Sequence, residues 1–251
     1  MITFNDFESY VVHYTKHTDR KKFLLNQFEL EQIFPRWIEK YDREELSYMQ
    51  VYEQFRMSIS EYQKRNHTGY SYLLYPMKPA DVSNCMKHKE AMRCFLEESN
   101  KDYMFLMEDD VILCHNFIET LNNYLKDIPS DWDVAFIGQG ANKRIEQSKL
   151  IPGINWYLKE YPADRCADSV LLKRESVKKI YYSISNHGIA YPPDHELSFW
   201  MNVYNMRVYW LEPPIVAQGS QTGYFESYQD WHSKVTDPKM NVRTDMDKLI
   251  L

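Results

Sequence analysis

Short apolar runs separated by polar segments follow one another along the chain, and the first of them define its N-terminal part. The run Tyr-Val-Val-His-Tyr within residues 9–14 predicts a strand, and residues 15–20 follow it as a polar loop. Apolar residues at helical spacing over 23–28 then predict a helix. Residues 32–38 predict a second strand, which Pro35 restricts to a sheet edge or a break.

The same alternation continues through most of the remaining chain. Helices are predicted over 42–63, 79–97, 116–125, 174–182 and 194–204, strands over 103–107, 133–138, 169–172 and 206–211, and a strand or extended loop over 70–76. Strands that alternate with helices predict an α/β sandwich, which binds ligands at the carboxyl ends of its strands. We expect a single domain over residues 1–232 and a polar tail over 233–251.

The apolar run at residues 103–107 ends in three consecutive carboxylates, Glu108, Asp109 and Asp110. Adjacent acids repel one another and are costly to remove from water without a cation. The pattern therefore predicts a divalent metal ion, itself carrying a phosphate, at this strand end. The alternative is a solvated strand end with no ligand. The Asp-X-Asp element of metal-dependent glycosyltransferases has the same layout, here with Glu in the first place.

Composition argues against several other classes of protein. The chain of 251 residues carries a net charge of −6, whereas a nucleic-acid binder usually shows a basic stripe. No apolar run approaches the length of a membrane span, and the N-terminus is not a secretion signal, so we expect a cytoplasmic protein without a transmembrane segment. The four cysteines lack Cys-X-X-Cys spacing and indicate free thiols. Twenty tyrosines suit stacking on sugars and bases, although ordinary packing uses the same residues.

Six short segments occur in an order that resembles one known family. They are Val-His-Tyr-Thr-Lys-His-Thr-Asp-Arg at 12–20, Asn-Cys-Met-Lys-His at 84–88, Met-Glu-Asp-Asp-Val at 107–111, Ser-Asp-Trp-Asp-Val at 130–134 with Gly138, Pro-Asp-His-Glu-Leu at 193–197 and Val-Ala-Gln at 216–218. The set resembles glycosyltransferase family 25, which includes lipopolysaccharide and procollagen galactosyltransferases. Three positions depart from the family pattern: Asn84 replaces a glycine, Lys87 replaces a serine, and Asp168 is an additional acid near the expected sugar pocket.

The resemblance implies a GT-A-like (Rossmann-like) fold that binds a nucleotide-sugar, with a mixed central sheet flanked by helices. In that fold the last acid, Asp110, ligates Mn²⁺ or Mg²⁺ with Glu108 beside it. Glu108 and Asp109 would orient the ribose, the donor sugar or metal-bound water, unless Glu108 merely faces solvent. The further substrate-binding residues that the resemblance implies are Tyr14, Thr15, Arg20, Lys87, His88, Gly138 and Gln218.

Several of these residues also suit a diphosphate by their predicted positions. Thr15, Arg20, Lys87 and His88 fall in loops or helix starts near strand ends, and helix N-termini bind phosphate through free backbone donors. Solvated Lys and Arg side chains are the alternative. His13 and His17 have a spacing that suits zinc on a helix, but His13 lies in a predicted strand, so we predict no zinc site.

An acceptor hydroxyl must lose a proton as it attacks, so an inverting enzyme needs a carboxylate base. Asp194 is the candidate, because it follows Tyr-Pro-Pro and opens a predicted helix. The alternatives are that Asp194 is a helix N-cap, or that Glu196 is the base.

The sequence thus predicts a metal-dependent inverting glycosyltransferase. Its donor would be a nucleotide-sugar of the UDP type, and its acceptor a hydroxyl group of a glycan or protein-linked substrate. The competing prediction is a catalytically inactive nucleotide- or sugar-binding protein on the same fold, in which Asn84 and Lys87 mark lost activity. A nucleotidyltransferase is disfavoured because the chain has no Gly-rich phosphate loop.

Overall fold

The structure, a computed structural model, describes residues 1–54 and 77–225. Its strands are β1 (Phe7–Val12), β2 (Arg36–Ile38), β3 (Tyr103–Glu108), β4 (Val111–Leu113), β5 (Val134–Phe136), β6 (Trp156–Lys159), β7 (Ser169–Lys173), β8 (Val208–Leu211) and β9 (Val216–Gln218). Its helices are α1 (Thr18–Glu31), α2 (Tyr48–Gln54), α3 (Pro79–Glu98), α4 (Phe117–Leu125), α5 (Arg174–His187), α6 (Pro193–Val203) and α7 (Gly219–Thr222).

Within the described residues, seven strands form one mixed sheet in the order β2-β1-β3-β7-β5-β8-β6. Strand β1 is parallel to β2 and β3, and β5 is parallel to β8. Strand β7 is antiparallel to β3 and β5, and β6 is antiparallel to β8. Strands β4 and β9 pair separately in an antiparallel ladder. The predicted α/β class, with a mixed central sheet flanked by helices, is confirmed.

Alternate side chains of the central strands enter two separate cores, one on each face of the sheet. In β3, Met104 and Leu106 belong to the first core, and Phe105 and Met107 belong to the second. The first core is closed by α3, α5 and α6, and the second by α1 and α4. Because both faces are covered, the central strands are apolar throughout, which is why they appear in the sequence as continuous runs.

The strand registers bring several chain segments to one edge of the sheet. Val12 lies opposite Glu108, so the carboxyl ends of the parallel strands β1 and β3 meet there. Because β7 runs in the opposite direction, it begins at this edge, with Ser169 opposite Met107. Strand β9 places Gln218 opposite Val111, directly after the acids. The three carboxylates therefore lie where the ends of β1, β3 and β9 and the beginning of β7 converge.

The sequence prediction differs from the structure mainly in short elements. Strand β2 is an edge strand, as Pro35 indicated. Strands β4, β6 and β9, of three or four residues, were not predicted. Of the helix predicted over 42–63, the described part is helical only over Tyr48–Gln54. Residues 55–63, the segment 70–76 and the tail 233–251 lie outside the described residues. In the described ranges, no helix combines the length and apolar character needed to span a bilayer.

Candidate active site

A pocket of about 190 Å³ opens at the edge where the acids lie. Its lining includes the predicted site residues Tyr14, Arg20, Lys87, Glu108, Asp109, Asp110 and Gln218. Thr15, His88, Gly138 and Asp194 lie outside that lining. Elements far apart in the chain thus place most of the predicted residues around one cavity.

Asp110 is the acid that best suits a cation. The residue is buried, its Oδ2 accepts hydrogen bonds from the backbone N–H and the hydroxyl group of Ser220, and its Oδ1 has no hydrogen-bond partner within the described residues. Gly219 permits this approach, since a Cβ there would lie 2.9 Å from the Asp110 carbonyl oxygen. Burial raises the pKa of Asp110, and the charge of Arg20 and the bond from Ser220 offset this only in part.

Glu108 lines the pocket beside Asp110 and is held by two amides. Asn84 Nδ2 donates to its Oε1 at 2.9 Å, and Gln218 Nε2 donates to its Oε2 at 3.3 Å. Burial raises the pKa of Glu108 well above its usual range, and the charge of Asp110 adds to the rise. Asn84 and Gln218 therefore fix the first of the three acids.

Asp109 also lines the pocket, but its two carboxylate oxygens bind the segment that follows β1. Its Oδ2 lies 2.9 Å from His13 Nδ1 and 3.1 Å from His17 Nδ1 and accepts the Tyr14 N–H at 3.0 Å, while its Oδ1 accepts Arg20 Nη1 at 2.9 Å. Burial opposes ionisation, but hydrogen bonds from both histidines and the charge of Arg20 outweigh it and hold the pKa of Asp109 below its usual range. Asp109 therefore positions Arg20 at the pocket, and the histidines bind a carboxylate.

Three residues expected to meet a diphosphate have other partners in the structure. Lys87 Nζ donates to the carbonyl oxygens of Glu39 and Lys40 at 3.1 and 2.8 Å and pairs with Asp42 Oδ1 at 2.7 Å. Its ammonium group thus has three protein acceptors, the number it can satisfy. Thr15 Oγ1 donates to Asp42, and the buried His88 lies 2.9 Å from the Asn84 carbonyl oxygen through Nδ1. Lys87 thus joins α3 to the loop after β2, Thr15 joins the loop after β1 to the same Asp42, and the His88 contact lies within α3.

Gly138 leaves space for a carboxylate inside the protein. A Cβ at this position would collide with the side chains of Asp168 and Ser169. Asp168 is fully buried, and its Oδ1 has no partner within the described residues. The sequence indicated Gly138 as substrate-binding, whereas the structure places it against this internal acid.

Asp194 lies at the start of α6, outside the pocket lining but within electrostatic range of Glu108. The N-cap of α6 is Pro192, and no side chain caps it, so the alternative of Asp194 as the N-cap is wrong. Ligand atoms of Asp164, Asp194 and His195 lie within 4.8 Å of one another, and Asp164 also pairs with Lys143. Glu196 is buried and accepts bonds from the Ala190 and Tyr191 N–H groups and from Trp200 Nε1, a structural role that argues against it as the base.

The sequence did not predict which side chains contact the acids of the pocket. Asn84 and Asp168 were noticed only as departures from a pattern, and Ser220 gave no signal. Asp168 lies against Gly138, which follows the end of β5 by two residues, and this contact is visible only when the pairing of β5 with β7 is known.

Comparison with known proteins gives matches in structure alone. No protein-family model and no curated protein matches the chain. Drosophila beta1,4-galactosyltransferase 7, solved as a mutant with manganese, UDP-Gal and xylobiose, is similar with a TM-score of 0.40 and 13% identity over 82% of this chain and 66% of that chain. TarS from S. aureus has a TM-score of 0.41 and 13% identity over 87% of this chain and 61% of that one.

A third similar structure is A197 from STIV, with a TM-score of 0.33 and 16% identity over 53% of this chain and 64% of that one. The chain thus spans less than two thirds of the length of each of these solved chains.

Proposed function

We propose that the chain is a metal-dependent inverting glycosyltransferase, which moves a sugar from a UDP-type nucleotide-sugar to a hydroxyl group of a glycan or protein-linked acceptor. The observation that carries the proposal is Oδ1 of Asp110, a buried oxygen of a pocket residue with no partner within the described residues. An unsatisfied buried acceptor is costly. Hard divalent cations bind carboxylate oxygens, so the residues present fit Mn²⁺ or Mg²⁺.

When bound, the ion would act as a Lewis acid that stabilises the departing nucleoside diphosphate. Asp110 would hold it from the turn after β3, with Glu108 beside it. Asn84 and Gln218 orient the Glu108 carboxyl group towards the donor sugar. Arg20, which Asp109 positions, supplies positive charge to the diphosphate, and Tyr14 offers its ring to the nucleotide.

Asp194 is proposed to accept the proton of the acceptor hydroxyl. As that oxygen forms its bond to the anomeric carbon, the bond between this carbon and the diphosphate oxygen breaks, and the proton passes to the Asp194 carboxylate. The position of Asp194 at the start of α6 supports this role, because its side chain keeps 24% of its surface exposed while its neighbour Glu196 is buried. A base must be reachable by the acceptor.

The proposal is tested with Asp110→Asn. This change keeps the side-chain volume nearly constant, so the melting temperature of the variant should stay close to that of the wild type. We expect Mn²⁺-dependent turnover of a UDP-sugar to be lost, because the amide removes the charge that holds the ion. Turnover at the wild-type rate in the variant contradicts the assignment of Asp110.

The second candidate is a catalytically inactive nucleotide- or sugar-binding protein. The observation that favours it is Lys87, whose ammonium group bonds to the protein interior rather than pointing at a ligand. Nucleotide-sugar binding measured by calorimetry, together with hydrolysis and transfer assays with and without Mn²⁺, separates the two. Binding without any turnover supports the second candidate.

A further inference from the structure

Asp168 is a buried carboxylate to which the proposed reaction assigns no task. The residue directly precedes β7 and has no exposed surface. Its Oδ2 accepts a hydrogen bond from Ser169 Oγ at 3.2 Å, and its Oδ1 has no hydrogen-bond partner in the described part of the chain. Burying a carboxylate with so little compensation is strongly unfavourable, so its presence calls for a physical reason.

The sheet register brings Asp168 to the acid cluster. The N–H of Glu108 donates to the Asp168 carbonyl oxygen at 2.9 Å, which continues the antiparallel pairing of β3 with β7. On the other side of β7, the missing Cβ of Gly138 leaves the volume that the carboxylate occupies. Asp168 is therefore placed beside Glu108 by backbone hydrogen bonds and admitted by a glycine.

The electrostatic surroundings of Asp168 are unfavourable for an anion. Burial and then the charge of Asp110 raise the pKa of Asp168 to about 7. Arg165 is the cation whose charge lowers this pKa, but its guanidinium donates to Glu212 and to the carbonyl oxygens of Lys143 and Leu211. Asp168 thus has a neighbouring anion and a cation that is already bound elsewhere.

Three buried oxygens at this edge have no hydrogen-bond partner within the described residues: Asp110 Oδ1, Asp168 Oδ1 and Gln218 Oε1. All three oxygens are hydrogen-bond acceptors, and the residue that carries each of them is more than nine-tenths buried. A set of unsatisfied acceptors without a donor suits a hard cation, which takes oxygen ligands from carboxylates and amide carbonyls.

We infer that Asp168 is a further carboxylate ligand of the divalent-cation site proposed at Asp110, contributed by the start of β7 rather than by the Glu-Asp-Asp motif. The inference rests on the proposed function, since it places another ligand in the same site. It also gives a physical role to Asp168, which the sequence shows as an additional acid. The alternative group of Asp164, Asp194 and His195 is less suited, because Asp164 already pairs with Lys143.

The test is a Mn²⁺ titration of the full chain, followed by the electron paramagnetic resonance signal of the free ion. We expect Asp168→Asn to raise the Mn²⁺ dissociation constant at least about tenfold. The melting temperature without metal should be unchanged or higher, because the amide removes a buried charge. Asp168→Ser, a smaller side chain without charge, should show the same loss and guards against a variant that fails to fold. Asp164→Asn is the matched control and should keep the wild-type dissociation constant.

Wild-type Mn²⁺ affinity in both Asp168 variants, combined with loss of affinity in Asp110→Asn, overturns the inference and leaves the proposed function standing. Loss of affinity in Asp164→Asn but not in Asp168→Asn also overturns it and places the ion near α6. If the wild-type chain binds no Mn²⁺ in the presence or absence of UDP, the metal-dependent function itself fails, and the inference fails with it.

Discussion

Among single residues, Asp109 shows how one acid of a run can have a different task from its neighbours. Asp110 and Glu108 face the pocket with raised pKa values, whereas Asp109 has its pKa lowered by the histidines and Arg20 around it. Because its two oxygens accept from four groups, Asp109 connects β3 to the segment after β1. In the proposed function its role is therefore to fix Arg20.

We expect Asp109→Asn to lower the free energy of unfolding at pH 7 by about 3–5 kcal/mol, because the largely buried guanidinium group of Arg20 loses its anionic partner. The pKa of this acid is lower in the folded state than its ordinary value of 3.8, so its contribution is present above that value and is lost as the pH falls below it. The difference in the free energy of unfolding between Asp109→Asn and the wild type should therefore narrow below about pH 4. Urea unfolding at pH 7 and pH 3 measures both effects.

The control for this comparison is Asp19→Asn, an exposed acid on α1. Its unfolding free energy should stay within about 1 kcal/mol of the wild type, because only a charge in the first turn of α1 is lost. Equal stability of Asp109→Asn and the wild type at pH 7 contradicts the positioning role.

Asp194 is a residue whose chemical and structural roles can be separated. Asp194→Asn should lower the rate of transfer by a factor of about a hundred to ten thousand and leave the donor dissociation constant unchanged, since the base meets the acceptor. The residue is not the N-cap, so only its charge near the helix start is lost, worth about 0.3–1 kcal/mol. Transfer rate, donor affinity and melting temperature are measured on the same variant. Transfer at the wild-type rate removes Asp194 from the mechanism.

Among the elements, helix α3 combines apolar packing in the first core with a buried ion pair to the loop after β2. Lys87 on its third turn pairs with Asp42 after β2, and Thr15 from the loop after β1 donates to the same carboxylate. Burial raises the pKa of Asp42, but the bonds from Lys87 and Thr15 outweigh it and hold the pKa below the usual value. The carboxylate of Asp42 therefore connects three segments that surround the pocket.

Lys87→Met should lower the free energy of unfolding by about 3–5 kcal/mol, because Asp42 is left buried without its cation. If the ammonium group serves the fold alone, donor affinity measured below the melting transition should change little. The exposed Lys78→Met, at the N-cap position directly before the same helix, is the control and should leave stability nearly unchanged. A large loss of donor affinity with little loss of stability would instead restore Lys87 as a diphosphate ligand.

The elements also show how far the sequence could predict the fold. Continuous apolar runs such as Met104–Met107 identified the central strands, because strands buried on both faces form short apolar runs that polar residues bound. Strand β6 was missed because it is an edge strand in which Trp156 is buried and Leu158 is exposed. Three-residue strands such as β4 and β9 carry too little periodicity to detect.

For the whole molecule, the acid run indicates the edge at which the pocket opens but not which groups surround the acids. Glu108 and Asp110 follow a buried strand, and chain order alone places them at a sheet edge. The partners Asn84, Asp168 and Ser220 depend on how α3, β7 and α7 pack against that edge. A lysine such as Lys87 can face either a ligand or a carbonyl group, and only the packing of the loop after β2 decides between them.

The pocket is assembled from segments that are distant along the chain, and this has a thermodynamic consequence. His13 and Asp109 are 96 residues apart, and Glu108 and Gln218 are 110 residues apart. An unfolded chain holds these groups far from one another, so a ligand of the pocket binds the native state almost exclusively. Its binding free energy is then added to the stability of the entire protein, by about 2.7 kcal/mol at a ligand concentration one hundred times the dissociation constant. Occupancy of the site is thereby tied to protection of the whole chain against unfolding.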